Sequence, residues 1–297
     1  MPFKRLTFLF FALVSSCSIA CSKEALDTLT ISDFPEIDLP IITDETDTIT
    51  IMQWNIGHFS LGKSSRSSVT DINFDSRRLG YLEILNNAGA NIVSLNEYST
   101  LFANTSKHPR CFADTLLFKS YHYKAIGNNE KQRRYSLNAI FSTIELLSPL
   151  TIDFEVNKSV TLSSSQVFST DYYYLFSIIK LFNREIVFIS THLAFDNNNE
   201  RVVMGQIEEL INNLKNYPFV IICGDFNTNS TNLFPFIDAG YSIANDGTFL
   251  TYPAGNESSS LDNIIVKGLS ISSVRTIPTL LSDHLPIVCE LSLNEEN

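Results

Sequence analysis

With 297 residues, 44% of them hydrophobic, the chain is long enough to bury one large core. Its formal charge of −11, from 21 lysines and arginines against 32 aspartates and glutamates, excludes a protein that grips nucleic acid mainly through a broad basic surface, because phosphate contacts need cationic side chains. A nuclease that neutralises the scissile phosphate with a bound ion escapes that exclusion.

The first residues read as an address. Lys4 and Arg5 precede an apolar stretch from Leu6 to Val14, and small residues follow up to Ala20-Cys21. The stretch is short for a transmembrane helix and looks like a bacterial lipoprotein signal, in which a cysteine is lipidated and becomes the new N-terminus. Residues 1–20 are therefore expected to be a signal peptide, with Cys21 as the lipidation site. Cys17, after Val14-Ser15-Ser16, is the alternative, and cleavage without a lipid is a third reading. All three take the protein out of the cytoplasm. A lipid anchor gives it the membrane as a partner and a place in the cell envelope, periplasmic or surface-exposed. Residues 21–47 then turn acidic, with Asp27, Asp33, Glu36, Asp38, Asp44, Glu45 and Asp47 and with Pro35 and Pro40. Self-repulsion and proline favour an extended tether, with a reach of up to roughly 80–90 Å, although part of it packing as an edge strand is also open. One domain, residues 48–297, follows, and no obligate protein partner is evident.

Within it, apolar runs at Ile49–Trp54, Asn91–Asn96, Ile186–Ile189, Phe219–Cys223 and Leu285–Leu291 read as buried strands. Ser76–Ala88, with Leu79, Leu82, Ile84 and Leu85, reads as an amphipathic helix. Glu200–Asn216 repeats that pattern through Val203, Ile207, Leu210, Ile211 and Leu214 and stops at Tyr217-Pro218. Leu146–Val160, Tyr172–Leu181 and Ile264–Val274 supply further strand-rich stretches. Composition alone gives α/β or α+β.

Polar groups sit where those strands end or begin. Asn55 follows the first strand and Glu97 the second. Ser190-Thr191-His192-Leu193 and Gly224-Asp225-Phe226-Asn227 close two others, and Ser282-Asp283-His284-Leu285-Pro286 opens the last. Strand ends fix side chains around one cleft. Asp225 and Asn227, two apart on an extended segment, are expected on one face. Carboxylates facing an anionic substrate repel it, so Glu97, Asp225, Asp262 and Asp283 make sense together when a hard cation bridges them. Mg2+ is the expected ion, with Mn2+ as substitute.

Of the remaining cysteines, Cys223 and Cys289 read as buried thiols, a bridge between them staying open, and Cys111 is left single. No Cys/His cluster has zinc spacing. Lys131, Arg133 and Arg134 form the one compact basic cluster. His58, His108 and His122 read as loop or core histidines with no part in the chemistry.

The ordered pieces Trp54-Asn55-Ile56, Asn96-Glu97, Leu137-Asn138-Ala139-Ile140-Phe141-Ser142, Ser190-Thr191-His192-Leu193, Gly224-Asp225-Phe226-Asn227, Leu261-Asp262-Asn263-Ile264-Ile265 and Ser282-Asp283-His284 resemble the endonuclease/exonuclease/phosphatase superfamily, from about Thr48 to Leu293. The resemblance implies a four-layer α/β sandwich of two mixed β-sheets flanked by helices, deoxyribonuclease I-like, and a metal-dependent phosphoesterase. It makes Glu97 the principal metal carboxylate, supported by the Asn55 amide oxygen and completed by Asp283. Asp225 and Asn227 position the attacking water and the phosphate, Asp262 pairs with His284, and the base is that pair or Asp225. His192 stabilises the phosphate or protonates the leaving group, while Asn138 and Arg134 stand near the substrate. The motifs specify phosphoester hydrolysis without fixing what the phosphate carries. Nucleic acid or phospholipid head groups are the expected substrates, nuclease-like or sphingomyelinase-like. The alternative is a catalytically silent lipoprotein that binds phosphorylated glycans or a protein partner.

Overall fold

The computed structural model describes residues 36–42, 47–59, 74–98, 101–102, 111–112, 117–127, 137–156, 158–161, 167–170, 172–195 and 201–293. The expected leader, Cys17, Cys21, His108, the Lys131–Arg134 cluster and most of the expected tether lie outside these residues.

Strand β1 (Thr48–Asn55) shows how the sequence builds the layers. Ile49 and Ile51 enter one core while Met52 and Trp54, on the opposite face, enter another; a strand alternates faces residue by residue. Helix α1 (Phe74–Ala88) packs Tyr81, Leu82 and Leu85 against Met52 and Trp54. It leads to β2 (Ile92–Tyr98), which runs parallel to β1. The short hairpin β3 (Leu101–Phe102) and β4 (Cys111–Phe112) precedes β5 (Tyr123–Ile126) and β6 (Leu137–Ser142).

The second half repeats the plan. After β7 (Leu147–Asp153), the hairpin β8 (Lys158–Thr161) and β9 (Val167–Thr170), and β10 (Tyr173–Leu181), strand β11 (Arg184–His192) crosses through helix α2 (Arg201–Leu214) to the parallel β12 (Val220–Asp225). Helix α2 buries Val203, Ile207, Leu210 and Leu214, one face at helical spacing, against Val187, Ile189, Val220 and Ile222. A short helix α3 (Phe234–Asp238), β13 (Ser242–Ile243), β14 (Asp262–Lys267), β15 (Leu269–Thr276) and β16 (Ile287–Leu293) complete it.

Two six-stranded sheets result, ordered β15-β16-β1-β2-β6-β5 and β7-β10-β11-β12-β14-β13. Aligned in that direction they share one pattern, every pair antiparallel except β1/β2 and β11/β12. A third core, from Ile49 and Ile51 through Phe188, Ile221 and Ile264 to Ile287, lies between the sheets. Helix, sheet, sheet and helix are the expected four-layer α/β sandwich. No helix among the described residues is long and apolar enough to cross a membrane.

Three sequence expectations change. The stretch Ile264–Val274 is two strands in different sheets, β14 and β15, turned at Gly268. Its φ of +74° suits glycine, and a Cβ there would lie 2.5 Å from the Pro218 carbonyl oxygen. Leu146–Val160 likewise breaks after Asp153. Residues 36–42, expected in the tether, lie on the domain without forming a strand. Ile37 is buried, its N–H donates to Ser120 Oγ at 2.8 Å, and the Pro40 carbonyl accepts from Asn91 Nδ2 at 3.1 Å. Two apolar side chains, Ile37 and Leu39, outweigh the acidic neighbours there. Cys223 and Cys289 are free thiols in the core between the sheets. Burial raises both, Cys289 to about 12.

Candidate active site

The two parallel pairs end together. Register sets Asn55 beside Asn96 in one sheet, and His192 beside Asp225 beside Asp262 in the other. The facing sheets thus bring four strand ends and the start of β14 to one cleft of about 350 Å3, whose lining includes Asn55, Glu97, His192, Asp225, Asp283 and His284.

Asp225 is central. Its buried carboxylate accepts from Asn55 Nδ2 at 2.9 Å, and its Oδ2 lies 3.6 Å from both His192 Nε2 and His284 Nε2. Its Oδ1 accepts the Asn227 N–H at 2.9 Å, while Asn227 Nδ2 donates to the Leu193 carbonyl. Asp225 and Asn227 therefore meet through a side-chain turn with Asn227 at φ +50°, not through the extended segment expected from their spacing.

Behind His284, Asp262 Oδ2 lies 2.8 Å from Nδ1. Both groups are buried. Burial works against a charged imidazole, yet Asp262, Asp225 and Asp283 together hold His284 protonated to about 10. Burial raises Asp262 as well, against the pull of His284. The Tyr252 ring lies 4.8 Å from the His284 ring, and Trp54 Nε1 donates to the His284 carbonyl at 2.9 Å.

Glu97 reaches the cleft by a bulge. Between Leu95 and Tyr98 the register with β6 slips by one residue, and Glu97 adopts φ +51°. A regular strand sends consecutive side chains to opposite faces; the bulge re-aims one of them, so Asn96 and Glu97 both serve the site. Asn96 is buried between the sheets and fully bonded. Its Oδ1 accepts from Gln53 Nε2 at 2.7 Å and from the Asp225 N–H at 2.8 Å. Its Nδ2 donates to Asn138 Oδ1 and to the Thr191 carbonyl, both at 2.9 Å. Asn138 passes the chain on, Nδ2 to the Tyr173 carbonyl at 3.1 Å, so its amide orients Asn96 and Tyr173 at the cleft wall. Arg134 lies outside the described residues.

Sequence reasoning set His58 aside, and the structure puts it at the site. His58 Nε2 is 2.9 Å from Glu97 Oε2. Gly57, His58 and Phe59 are three consecutive left-handed residues, at φ +54°, +55° and +59°. Such a conformation costs a non-glycine residue roughly 1–2 kcal/mol. Phe59 offsets its share by burial, edge-on to Tyr81 and Tyr98 at 5.2 and 5.9 Å. Asn96 was also missed as a site residue. Its signal was its place beside Glu97 in a buried apolar run, where an unpaired amide is costly.

Glu97, Asp225 and Asp283 face the cleft, and among the described lining residues there is no lysine or arginine. Burial raises Glu97, but the His58 hydrogen bond, the His192 and His58 charges and the Asn55 amide outweigh it and hold the carboxyl ionised down to about 2. Asn55 Oδ1 accepts the Gly57 N–H at 3.1 Å and keeps a second lone pair. Gly57 also lies against Asp283, since a Cβ on it would come within 3.2 Å of Asp283 Oδ1. An ionised carboxylate, an amide oxygen and a second carboxylate around Gly57 fit a hard divalent cation. Asp225, Asp262 and His284 form another donor group, with atoms within 4.8 Å of one another. There Asp262 and His284 are committed to each other, an arrangement that fixes the ring and keeps its proton.

The sequence profile of the Endonuclease/Exonuclease/phosphatase family matches residues 52–284. Among curated proteins nothing matches. Solved structures share the fold at low identity. The human Nocturnin catalytic domain with bound sulfate anion is 20% identical with a TM-score of 0.61, over 84% of this chain and 97% of that one. Humanized D. rerio TDP2 is 16% identical with a TM-score of 0.59, over 83% of this chain and 100% of that one. An endonuclease/exonuclease/phosphatase family protein from Bacteroides thetaiotaomicron is 13% identical with a TM-score of 0.61, over 84% and 96%.

Proposed function

Because this chain belongs to the Endonuclease/Exonuclease/phosphatase family, divalent-metal-dependent hydrolases of phosphoester bonds, we propose that it is a Mg2+-dependent phosphodiesterase acting on nucleic acid or phospholipid head groups outside the cytoplasm. The observation that carries this is Asp225 Oδ2, held 3.6 Å from the imidazoles of both His192 and His284.

When bound beside Glu97, Asn55 and Asp283, the cation supplies charge neutralisation at the phosphoryl oxygens. The protein's own groups do the rest. Asp225, with His284 already protonated, takes the proton of the attacking water. Asp262 fixes the His284 ring, whose Nε2–H faces the phosphate and stabilises charge as it grows. His192, on the other flank of Asp225, gives its proton to the leaving oxygen as the phosphorus–oxygen bond breaks. Asn227, tied to Asp225 and to the Leu193 carbonyl, holds the base in register.

The described lining shapes the reading of the substrate. With Tyr172, Phe195, Tyr252 and Leu261 beside the polar groups, the cleft suits a phosphate carrying an apolar or aromatic substituent. Phe195 is 58% exposed, available to a nucleobase or to the apolar part of a lipid. A lipid anchor at Cys21 would hold the enzyme at the envelope.

The test is hydrolysis of DNA, RNA, sphingomyelin and phosphomonoesters, with and without Mg2+, by the chain from Ser22 and by its His284→Ala variant. Starting at Ser22 keeps the Ile37 and Pro40 contacts. Turnover of one class that needs both Mg2+ and His284 supports the reading. Metal binding without turnover of any class overturns it in favour of a binding role.

A further inference from the structure

Leu193, Ala194 and Phe195 follow the last residue of β11, and the backbone of each is pinned. The Leu193 N–H donates to the Asp225 carbonyl at 3.0 Å, and the Leu193 carbonyl accepts from Asn227 Nδ2 at 2.9 Å. The Ala194 N–H donates to Oε1 of the buried Gln206 at 2.9 Å, and the Phe195 N–H to the Tyr172 hydroxyl at 3.2 Å. Leu193 and Ala194 are buried, whereas Phe195 stands exposed at the wall of the cleft. A lone apolar side chain on open surface needs no explanation. Phe195 is different, because it is the only large exposed apolar side chain among the described lining residues and its backbone belongs to a fixed segment.

We propose that Phe195 determines specificity by stacking on the base of the departing nucleoside, which makes the substrate of the cleft an unpaired nucleic-acid strand. The inference rests on the phosphodiesterase reading above and selects between its two substrate classes. Phe195 follows His192 by three residues, at most about 11 Å from Cα to Cα. The group that protonates the leaving oxygen and the ring that receives the leaving base therefore belong to one segment. On the other flank the Tyr252 ring already packs on His284 at 4.8 Å, and the buried Tyr173 spends its hydroxyl on the Asn138 N–H. Of these three rings, Phe195 presents the open face.

Stacking on one ring also suits the charge. A chain of −11 offers a polyanion no broad basic surface, whereas one base on one aromatic face gives local affinity without it. Bases inside a duplex are already stacked on their neighbours, so the strand must be unpaired. Lipid is disfavoured by where the chain joins the domain. Asn91, just before β2, donates Nδ2 to the Pro40 carbonyl, while Glu97 stands near the far end of that strand. Residues 36–42 thus lie at the strand ends opposite the cleft. A domain anchored through Cys21, as proposed, turns its cleft away from the bilayer that holds it.

The test compares Mg2+-dependent kcat/KM on the dinucleotide of deoxyadenosine, on two analogues in which one base or the other is replaced by hydrogen, and on sphingomyelin vesicles. It uses the chain from Ser22 and its Phe195→Ala and Phe195→Trp variants. The product released without phosphate identifies the leaving nucleoside. Wild type is expected to lose about tenfold or more when the leaving-side base is removed, and less when the other is. Phe195→Ala is expected to lose a similar factor on the full dinucleotide and to match wild type on the analogue without the leaving base, and Phe195→Trp to keep wild-type activity. A loss in Phe195→Ala that is equal on all dinucleotides, or turnover indifferent to base and to Phe195, overturns the role of Phe195 and leaves the phosphodiesterase standing. Preferential hydrolysis of sphingomyelin assigns the cleft to lipid and overturns this inference alone. No turnover of any substrate overturns the phosphodiesterase reading, and this inference with it.

Discussion

Asn96 Oδ1 accepts the backbone N–H of Asp225 at 2.8 Å, joining β2 of one sheet to the end of β12 in the other. The apolar packing between the sheets is non-directional and tolerates small slides. A hydrogen bond between the two strand ends that carry Glu97 and Asp225 fixes the spacing between these two carboxylates. Asn55 Nδ2 to Asp225, Asn96 Nδ2 to the Thr191 carbonyl, Asn138 Nδ2 to the Tyr173 carbonyl and Ser94 Oγ to Ser190 Oγ cross the same gap as further ties.

Asn96→Ala removes that tie and leaves Gln53 Nε2, the Asp225 N–H, Asn138 Oδ1 and the Thr191 carbonyl without their buried partner. Each unsatisfied group costs about 1–3 kcal/mol, and relaxation makes the sum less than additive. The expected loss is about 3 kcal/mol or more, read from urea denaturation. A variant as stable as wild type would show that the sheets are held without Asn96.

Gly224 lets β11 and β12 approach where His192 and Asp225 emerge. A Cβ on residue 224 would fall 2.3 Å from the Thr191 carbonyl oxygen, a backbone atom. Gly224→Ala must therefore push the two strand ends apart, and turnover is expected to fall at least tenfold, more than a stability loss alone explains. Comparing kcat with the fraction folded, measured at one temperature, separates the two effects.

Strand ends and helices were legible because their signals are local: apolar alternation in Ile49–Trp54, helical spacing in Val203 through Leu214. The convergence of Asn55, His192, Asp225 and His284 was legible through family resemblance and strand-end placement together. Three things were not. Glu97 itself was named from sequence, but not the bulge that brings it to the cleft, because a one-residue register slip against β6 leaves no mark in the apolar pattern. His58 sits in a left-handed turn that follows a glycine and looks like any loop. The split of Ile264–Val274 between two sheets depends on Gly268 meeting the Pro218 carbonyl, fifty residues away in the chain.

Asp225 and His192 are expected to separate kinetically. Asp225→Asn keeps the size and the bond to the Asn227 N–H but removes the base, so kcat falls by about 10^2–10^4 for every substrate. His192→Gln keeps the base and removes the proton given to the leaving oxygen. Its deficit therefore shrinks for a nitrophenyl ester, whose leaving oxygen needs little protonation. Equal deficits on good and poor leaving groups would show that His192 acts on the phosphate instead.

His284 is expected to make the metal-free protein sensitive to alkali. Its folded pKa of about 10 stands above the ordinary 6.5, so its contribution to stability is fully present below pH 6.5 and is lost as pH rises through 10. Denaturation midpoints in chelator are expected to decline across that window in wild type. In Asp262→Asn/His284→Gln, which removes the titrating pair together, the slope should flatten. An unchanged slope would assign the alkaline sensitivity to other groups.

Glu97 gives the opposite limb. Its folded pKa of about 2 lies below the ordinary 4.5, so the stability it contributes is present above pH 4.5 and is lost as pH falls toward 2. In chelator, the difference in denaturation midpoint between wild type and Glu97→Gln is expected to narrow as pH drops through that range. Cation binding needs the same ionised carboxylate, so Mg2+ and Mn2+ are expected to stabilise wild type above pH 4.5 and to stabilise Glu97→Gln at least tenfold less strongly in apparent affinity. A midpoint difference that stays constant down to pH 2 would show that Glu97 carries no depressed titration, and equal cation stabilisation of both proteins would remove it from the metal centre.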